Sequence, residues 1–400
     1  MNEPPVPAPE SPRAGCVLDV PFTIGKVTLR NRLVVPSMQR GASLDGAPPP
    51  ALADYYGRFA QGGFALVMSE SCAIDHPSAS RKVTCVRMLP STLRAWRECT
   101  RQVADGGAHM MIQLWHEGAL RLEGEDGVHP DAPTLSPSGL FGRDQRAGRA
   151  MTEGDLDDVK ASYVRAAMLA QEAGAVGVEI HGGHGFLLDQ FLWSETNRRT
   201  DRYGGAAMAD RVRFPAEIVA AIRLATGGDF LIGFRFSQWK GNHGRRHPTS
   251  ASELARIVDT PEELATMLAA LRAAGVDMFH VSARRFDRPE WPASDLSLAG
   301  WTKRLTDAAV IAVGSVGLGL DVVQSLYEGR ETDPEEDVAI LERSLAESER
   351  RFAAGEFDLL AAGRASLGDQ GFATKLLARR LPEISRYSAA SVAGIVRAIR

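Results

Sequence analysis

The chain predicts an α/β fold, a single (β/α)8 TIM barrel carrying loop insertions. Three observations carry that prediction. Short apolar, β-branched runs recur eight times, and amphipathic stretches lie between them. No Gly-x-Gly-x-x-Gly turn follows the first run, where a doubly wound sheet would normally carry one. The length of 400 residues also suits the class, since such barrels run from about 250 residues to more than 400 with insertions.

In chain order the predicted strands are residues 33–38, 65–70, 109–115, 176–182, 230–237, 278–283, 310–316 and 357–364. Amphipathic helices are expected over 52–60, 93–104, 156–173, 209–225, 261–274 and 318–327. The surplus length is concentrated in three places. Residues 118–153 contain Pro130, Pro133 and Pro137 and are too long for a simple βα loop, so a small lid or hairpin is expected. Residues 239–259 hold the polar run Gly241-Asn242-His243-Gly244-Arg245-Arg246-His247-Pro248, and 330–355 read as an acidic helical insertion. The first 15 residues hold five prolines and no basic-then-apolar leader pattern. They predict a disordered tail over 1–16, with the barrel occupying 17–400.

Composition narrows the function. With 44% hydrophobic and 24% charged residues the chain is an ordinary globular sequence. A net charge of −4 leaves no basic excess to neutralise phosphates, so nucleic acid is not an expected partner. Cys16, Cys72, Cys85 and Cys99 form no CxxC pair, which argues against zinc or iron–sulfur ligation and for a reduced, cytoplasmic setting. No apolar run of about 18 residues is present, so no membrane span is expected.

Barrels of this kind place their chemistry at the C-terminal ends of the strands. The first closes in Ser37-Met38-Gln39-Arg40, the second in Glu70-Ser71, and the third in Gln113-Leu114-Trp115-His116. The fourth runs from Val178-Glu179-Ile180 into His181-Gly182-Gly183-His184-Gly185-Phe186. Residues three apart on a straight strand face opposite ways; two glycines let the chain bend so that both imidazoles meet one cavity. Strand-end histidines also serve as plain hydrogen-bonded caps. The fifth strand closes in Arg235-Phe236-Ser237-Gln238-Trp239, the sixth in Arg284-Arg285. The last two close in Gly314-Ser315-Val316-Gly317 and Gly363-Arg364, a pair suited to a phosphate. Gln39, Gln113 and Arg235 suit a flat heterocycle rich in carbonyls and ring nitrogens, and the arginine would stabilise negative charge on its reduction. A salt bridge of Arg235 with Glu179 or Glu70 is the structural alternative.

Taken with Leu29-Arg30-Asn31-Arg32-Leu33-Val34 and Asn197 through Gly205, these motifs resemble the Old Yellow Enzyme family of FMN-dependent ene-reductases, over roughly residues 17–381. The likeness is greatest to a bacterial branch of NADH:flavin oxidoreductases. The resemblance implies FMN as cofactor, NADH or NADPH as reductant, and a small-molecule substrate. It implies that Gln113 and Arg235 contact the flavin pyrimidine, and that Ser37, Met38, Gln39 and Ser71 lie along the ring. Gly314, Ser315, Gly363 and Arg364 would hold the phosphate. His181 and His184 would bind the oxygen of an activated alkene, with Phe186 beside them. A homo-oligomer is compatible with the resemblance, which fixes no oligomeric state.

Two positions depart from the family pattern. Phe186 stands where a tyrosine usually protonates the α-carbon, so Tyr203, the 239–259 loop or water becomes the expected donor. Gln39 stands where relatives carry Thr or Cys beside the flavin. Phe186 therefore keeps quinone or nitro reduction open, and with them an amine dehydrogenase or N-demethylase. From other classes come a metal-dependent hydrolase using His181, His184 and Glu179, and a flavin-binding protein without turnover.

Overall fold

The computed structural model describes residues 15–43, 45–121, 127–240, 256–331 and 333–388. The predicted tail (1–16, all but its last two residues) and the 241–248 run lie outside them. Eight parallel strands close a barrel: β1 (Leu33–Val35), β2 (Leu66–Met68), β3 (His109–Trp115), β4 (Gly177–His181), β5 (Leu231–Phe236), β6 (Met278–Ser282), β7 (Ala309–Val313) and β8 (Leu359–Ala361). Each pairs with the next, and β8 pairs with β1 through Leu360↔Leu33 and Ala361↔Val34. All eight predicted strands are present, most of them shorter at one or both ends.

Around the barrel run α1 (Pro50–Gln61), α2 (Leu93–Asp105), α3 (Glu153–Glu172), α4 (Arg213–Thr226), α5 (Pro261–Ala274), α6 (Leu298–Leu305), α7 (Asp337–Ala353) and α8 (Phe372–Leu377). The local signals explain their bounds. Thr152 caps α3 in a reciprocal capping box with Asp155. Pro261 opens α5 and Gly275, left-handed at φ 118°, closes it. The helix expected over 209–225 is split into Met208–Arg211 and α4, and of the one expected over 318–327 only a π-type turn, Val323–Tyr327, forms. The proline-bearing insertion contains a small antiparallel hairpin, Leu140–Gly142 with Gln145–Arg146. The acidic insertion supplies α7.

Strand periodicity divides the core in two. One set of side chains packs outward against the helices, among them Ile112, Val178, Ile180, Ile232 and Phe234. The other faces inward near the bottom and includes Val34, Leu66, Met68, Met111, Met278 and Ile311. A hairpin, Phe22–Ile24 with Val27–Leu29, plugs that end, adding Ile24, Val27 and Leu29 to the inner set. Two residues further along, the inward stripes become polar. Met111 is followed by Gln113, Met278 by His280 and Ser282, and Gly177 by Glu179 and His181. The barrel is therefore apolar at its base and hydrogen-bonding at its mouth.

Candidate active site at the barrel mouth

His181 is the last residue of β4, and His184 lies one turn beyond it. Their rings meet, His181 Nε2 lying 2.9 Å from His184 Nδ1. The bend differs from the glycine hinge expected. His184 itself takes left-handed φ 60° and Gly185 follows at 85°, a conformation that costs a non-glycine residue energy. Gly182 is needed for space instead, since a Cβ there would lie 2.3 Å from the Phe234 ring.

Neighbouring elements hold that turn. The His184 backbone N–H donates to Ser237 Oγ (3.0 Å), and His184 Nε2 sits 2.9 Å from Ser282 Oγ. The Trp239 ring lies against His184 at 4.7 Å. Below, Lys240 and Asp189 form a fully buried ion pair, with the lysine 4.9 Å from the Trp193 ring. That pair fastens the chain after β5 to the helix Leu187–Leu192 that follows the histidines. Phe186 caps the helix and puts its ring edge-on to His181 (4.9 Å) and to Trp115 (5.2 Å). Trp115 thus packs behind the ring that borders His181.

The floor is one polar network. Gln113 Oε1 accepts from Ser37 Oγ (2.8 Å) and Ser71 Oγ (2.6 Å), and Gln113 Nε2 donates to Glu179 Oε1 (2.7 Å). The other Glu179 oxygen lies 2.5 Å from His280 Nδ1. Burial alone would raise the Glu179 carboxyl, yet the hydrogen bonds from His280 and Gln113 and the charge of Arg235 hold it below its ordinary value. Burial pushes His280 below its ordinary value, so it serves as a neutral Nδ1–H donor. Arg235 donates to Ser37 O (3.3 Å) and Ser282 Oγ (3.5 Å). Its Nε is buried with no hydrogen-bond partner among the described residues. Such an orphaned donor, beside an amide and serine hydroxyls, fits an electron-rich heterocycle seated on this floor.

Gln39 Nε2 donates to Glu70 Oε2 (2.7 Å), which also accepts from the backbone of Arg40 (3.0 Å) and Gly41 (3.1 Å). Across the mouth, Ser315 takes φ 54°, and Arg364 donates to its Oγ (3.0 Å), to Leu320 O and Asp321 O (both 3.1 Å), and to Ser325. A Cβ on Gly363 would come within 3.3 Å of Pro36 and 3.6 Å of Met38 Sδ, and one on Gly314 within 2.6 Å of Ala283 O. The predicted phosphate residues therefore gather at one place. On the other side of Asp321, Arg284 donates to its carboxylate (2.7 Å), and Arg285 donates to Gly319 O (3.1 Å).

Other expectations fare differently. Tyr203 bonds Glu217 (3.0 Å) and packs on Phe214, on the α4 side of the fold; it is a structural tyrosine. His116 is bound to Ser78 Oγ and Gly118 N, both at 2.9 Å, and is likewise structural. No group of three or more His, Cys, Asp or Glu suited to a metal occurs among the described residues. His280 and Ser282 are not singled out by the sequence, and Glu179 enters there only as a salt-bridge partner of Arg235 or a ligand of the alternative metal site. Their signal was present, because each sits on an inward-facing stripe of its strand.

The chain matches known proteins in sequence and in fold. The sequence model of the NADH:flavin oxidoreductase / NADH oxidase family matches residues 18–331. An NADH oxidase of Thermoanaerobacter brockii is 32% identical over 319 residues, 77% of this chain and 46% of its own. Flavin oxidoreductase hxnT of Emericella nidulans is 35% identical over 233 residues, 56% of this chain and 59% of its own. The chain thus spans about half the length of these curated relatives. Morphinone reductase in complex with tetrahydroNAD shares the fold with TM-score 0.73 and 21% identity, covering 94% of this chain and 93% of its own. Old Yellow Enzyme from Pichia sp. AKU4542 does so with TM-score 0.72 and 22% identity, covering 95% and 91%.

Proposed function

This chain belongs to the NADH:flavin oxidoreductase / NADH oxidase family, and from that premise we propose that it is an FMN-dependent NAD(P)H oxidoreductase reducing activated C=C bonds. The observation that carries the proposal is the pairing of His181 and His184 above a floor of Gln113, Arg235, Ser37 and Ser71. Bound FMN, reduced by NADH or NADPH, would supply the electron pair as a hydride to the alkene.

The protein's own part is binding, orientation and charge stabilisation. Gln113 and Arg235 recognise the pyrimidine side of the flavin; Ser37, Met38, Gln39 and Ser71 line the ring; Gly314, Ser315, Gly363 and Arg364 take the phosphate. When both rings are neutral, His181 Nε2 and His184 Nδ1 share one proton. An acceptor oxygen entering between them takes over that hydrogen bond, and the donor stabilises the charge that develops there. Phe186 has no proton to give and Tyr203 is engaged by Glu217, which leaves α-carbon protonation to the 239–259 segment or to water.

Phe186 favours a second reading within the same family, namely acceptors that need no such proton (quinones, nitro compounds) or oxidation of an amine. Product analysis separates them. NADPH consumption with 2-cyclohexenone and appearance of cyclohexanone supports ene reduction. Formaldehyde or imine released from a methylated amine, with no enone turnover, would replace it.

A further inference from the structure

Beyond the histidines, between the ends of β5 and β6, lies a second cavity of about 250 Å3. Its wall includes Trp239, Ser282, Arg256, Arg284, Arg285 and Arg288. Four arginines line it, and three of them are matched by carboxylates. Arg256 pairs with Glu290, Arg284 with Asp321 (2.7 Å) and Arg285 with neighbouring Asp287 (2.9 Å). Arg288 is exposed and has no ion pair among the described residues.

The cavity adjoins the histidine pair directly. Ser282 Oγ is 2.9 Å from His184 Nε2, and the Trp239 ring stands 4.7 Å from the His184 ring. A molecule whose oxygen rests on His181 and His184 would therefore lie next to this cavity, which has Arg288 in its wall. Guanidinium groups present planar forks of donors that match carboxylate and phosphate oxygens.

We propose that this cavity binds an anionic group, a carboxylate or phosphate, carried by the acceptor at the end remote from its reducible carbonyl. The natural substrates are then acidic enones or comparable acidic acceptors. This inference rests on the oxygen-binding role of the histidine pair.

The test is a spectral titration of the FMN-loaded protein with two phenols of equal length, 4-propylphenol and 3-(4-hydroxyphenyl)propanoate. The carboxylate is expected to bind about tenfold more tightly, the scale of one charge-assisted hydrogen bond, and to lose that advantage as salt rises. Arg288→Gln, an exposed change, should bring the two affinities together, and Arg288→Lys should restore part of the gap. Equal affinities in the unaltered protein, or a gap untouched by Arg288→Gln, would overturn the proposal. Dinucleotide phosphates are the other source of such an anion. Slower anaerobic flavin reduction by NADPH in Arg288→Gln, with the phenol preference intact, would assign the cavity to the reductant and overturn the acceptor assignment. If neither phenol binds, the histidine role itself fails and this inference falls with it.

Discussion

The Gln113 amide donates to Glu179 Oε1 over 2.7 Å while its own oxygen accepts from both Ser37 and Ser71. Both lone pairs of that oxygen are taken, and one Nε2 proton remains to be offered. Gln113 is thereby fixed as a donor toward whatever ring lies on the floor. Glu179 does the fixing, and its charge also opposes that of Arg235.

Removing that charge should leave Arg235 less compensated and favour the more negative, reduced flavin. Glu179→Gln is expected to raise the flavin midpoint potential by about 30 mV or more, a tenfold change for a two-electron couple. Spectroelectrochemistry of the two proteins at one pH measures it. An unchanged or lower potential would mean that Glu179 only props the amide.

The histidine pair should govern oxygen binding and not cofactor retention. His181→Ala/His184→Ala is expected to weaken phenol binding by at least about tenfold while FMN stays bound. Titrations followed in the visible spectrum report both at once. Full phenol affinity in the double variant would remove the pair from its assigned place.

Phe186→Tyr adds a hydroxyl to the ring that packs on His181 and Trp115, at the position where the family usually carries its acid. A positioned general acid contributes about 10²–10⁴-fold, and water already supplies part of that. Cyclohexenone turnover should rise, with flavin reduction by NADPH unaltered. Stopped-flow separation of the two half-reactions checks this, and an unchanged oxidative half-reaction would point to another donor.

Glu70 makes stability depend on pH. Burial lifts its carboxyl from an ordinary 4.5 to about 7, against hydrogen bonds from Gly41 and Arg40. Because the folded value lies above the unfolded one, the contribution is complete below about pH 4.5 and is lost as pH rises through about 7. Between pH 5 and 8 the protein should lose up to about 3 kcal/mol that Glu70→Gln keeps. Urea unfolding of both proteins across that range gives the comparison, and parallel curves would assign the dependence to another group.

The barrel was legible because every one of its strands is an apolar run ending in hydrogen-bonding residues. The histidine pair, Gln113, Arg235 and the two phosphate turns stood at those ends. Glu179 was legible as a charge near Arg235 but not as the partner of Gln113, and His280 lies inside an apolar run where only period-two alternation turns it inward. The turn at His184 was misread because a left-handed histidine leaves no mark that adjacent glycines do not mask. Arg284 and Arg285 were visible as a doublet, but their reach to Asp321 and Gly319 is a long-range contact. Helix 318–327 failed because Gly317 and Gly319 favour a loop, whose carbonyls Arg364 then gathers.

The most direct test of the central claim is the visible spectrum of the purified, FMN-reconstituted protein under anaerobic addition of NADPH and then 2-cyclohexenone. The account predicts a yellow protein that bleaches with NADPH and regains its colour with the enone. A protein that stays colourless after FMN is offered would contradict it at the root. Bleaching without recovery would contradict the ene-reductase assignment while leaving the flavin site intact.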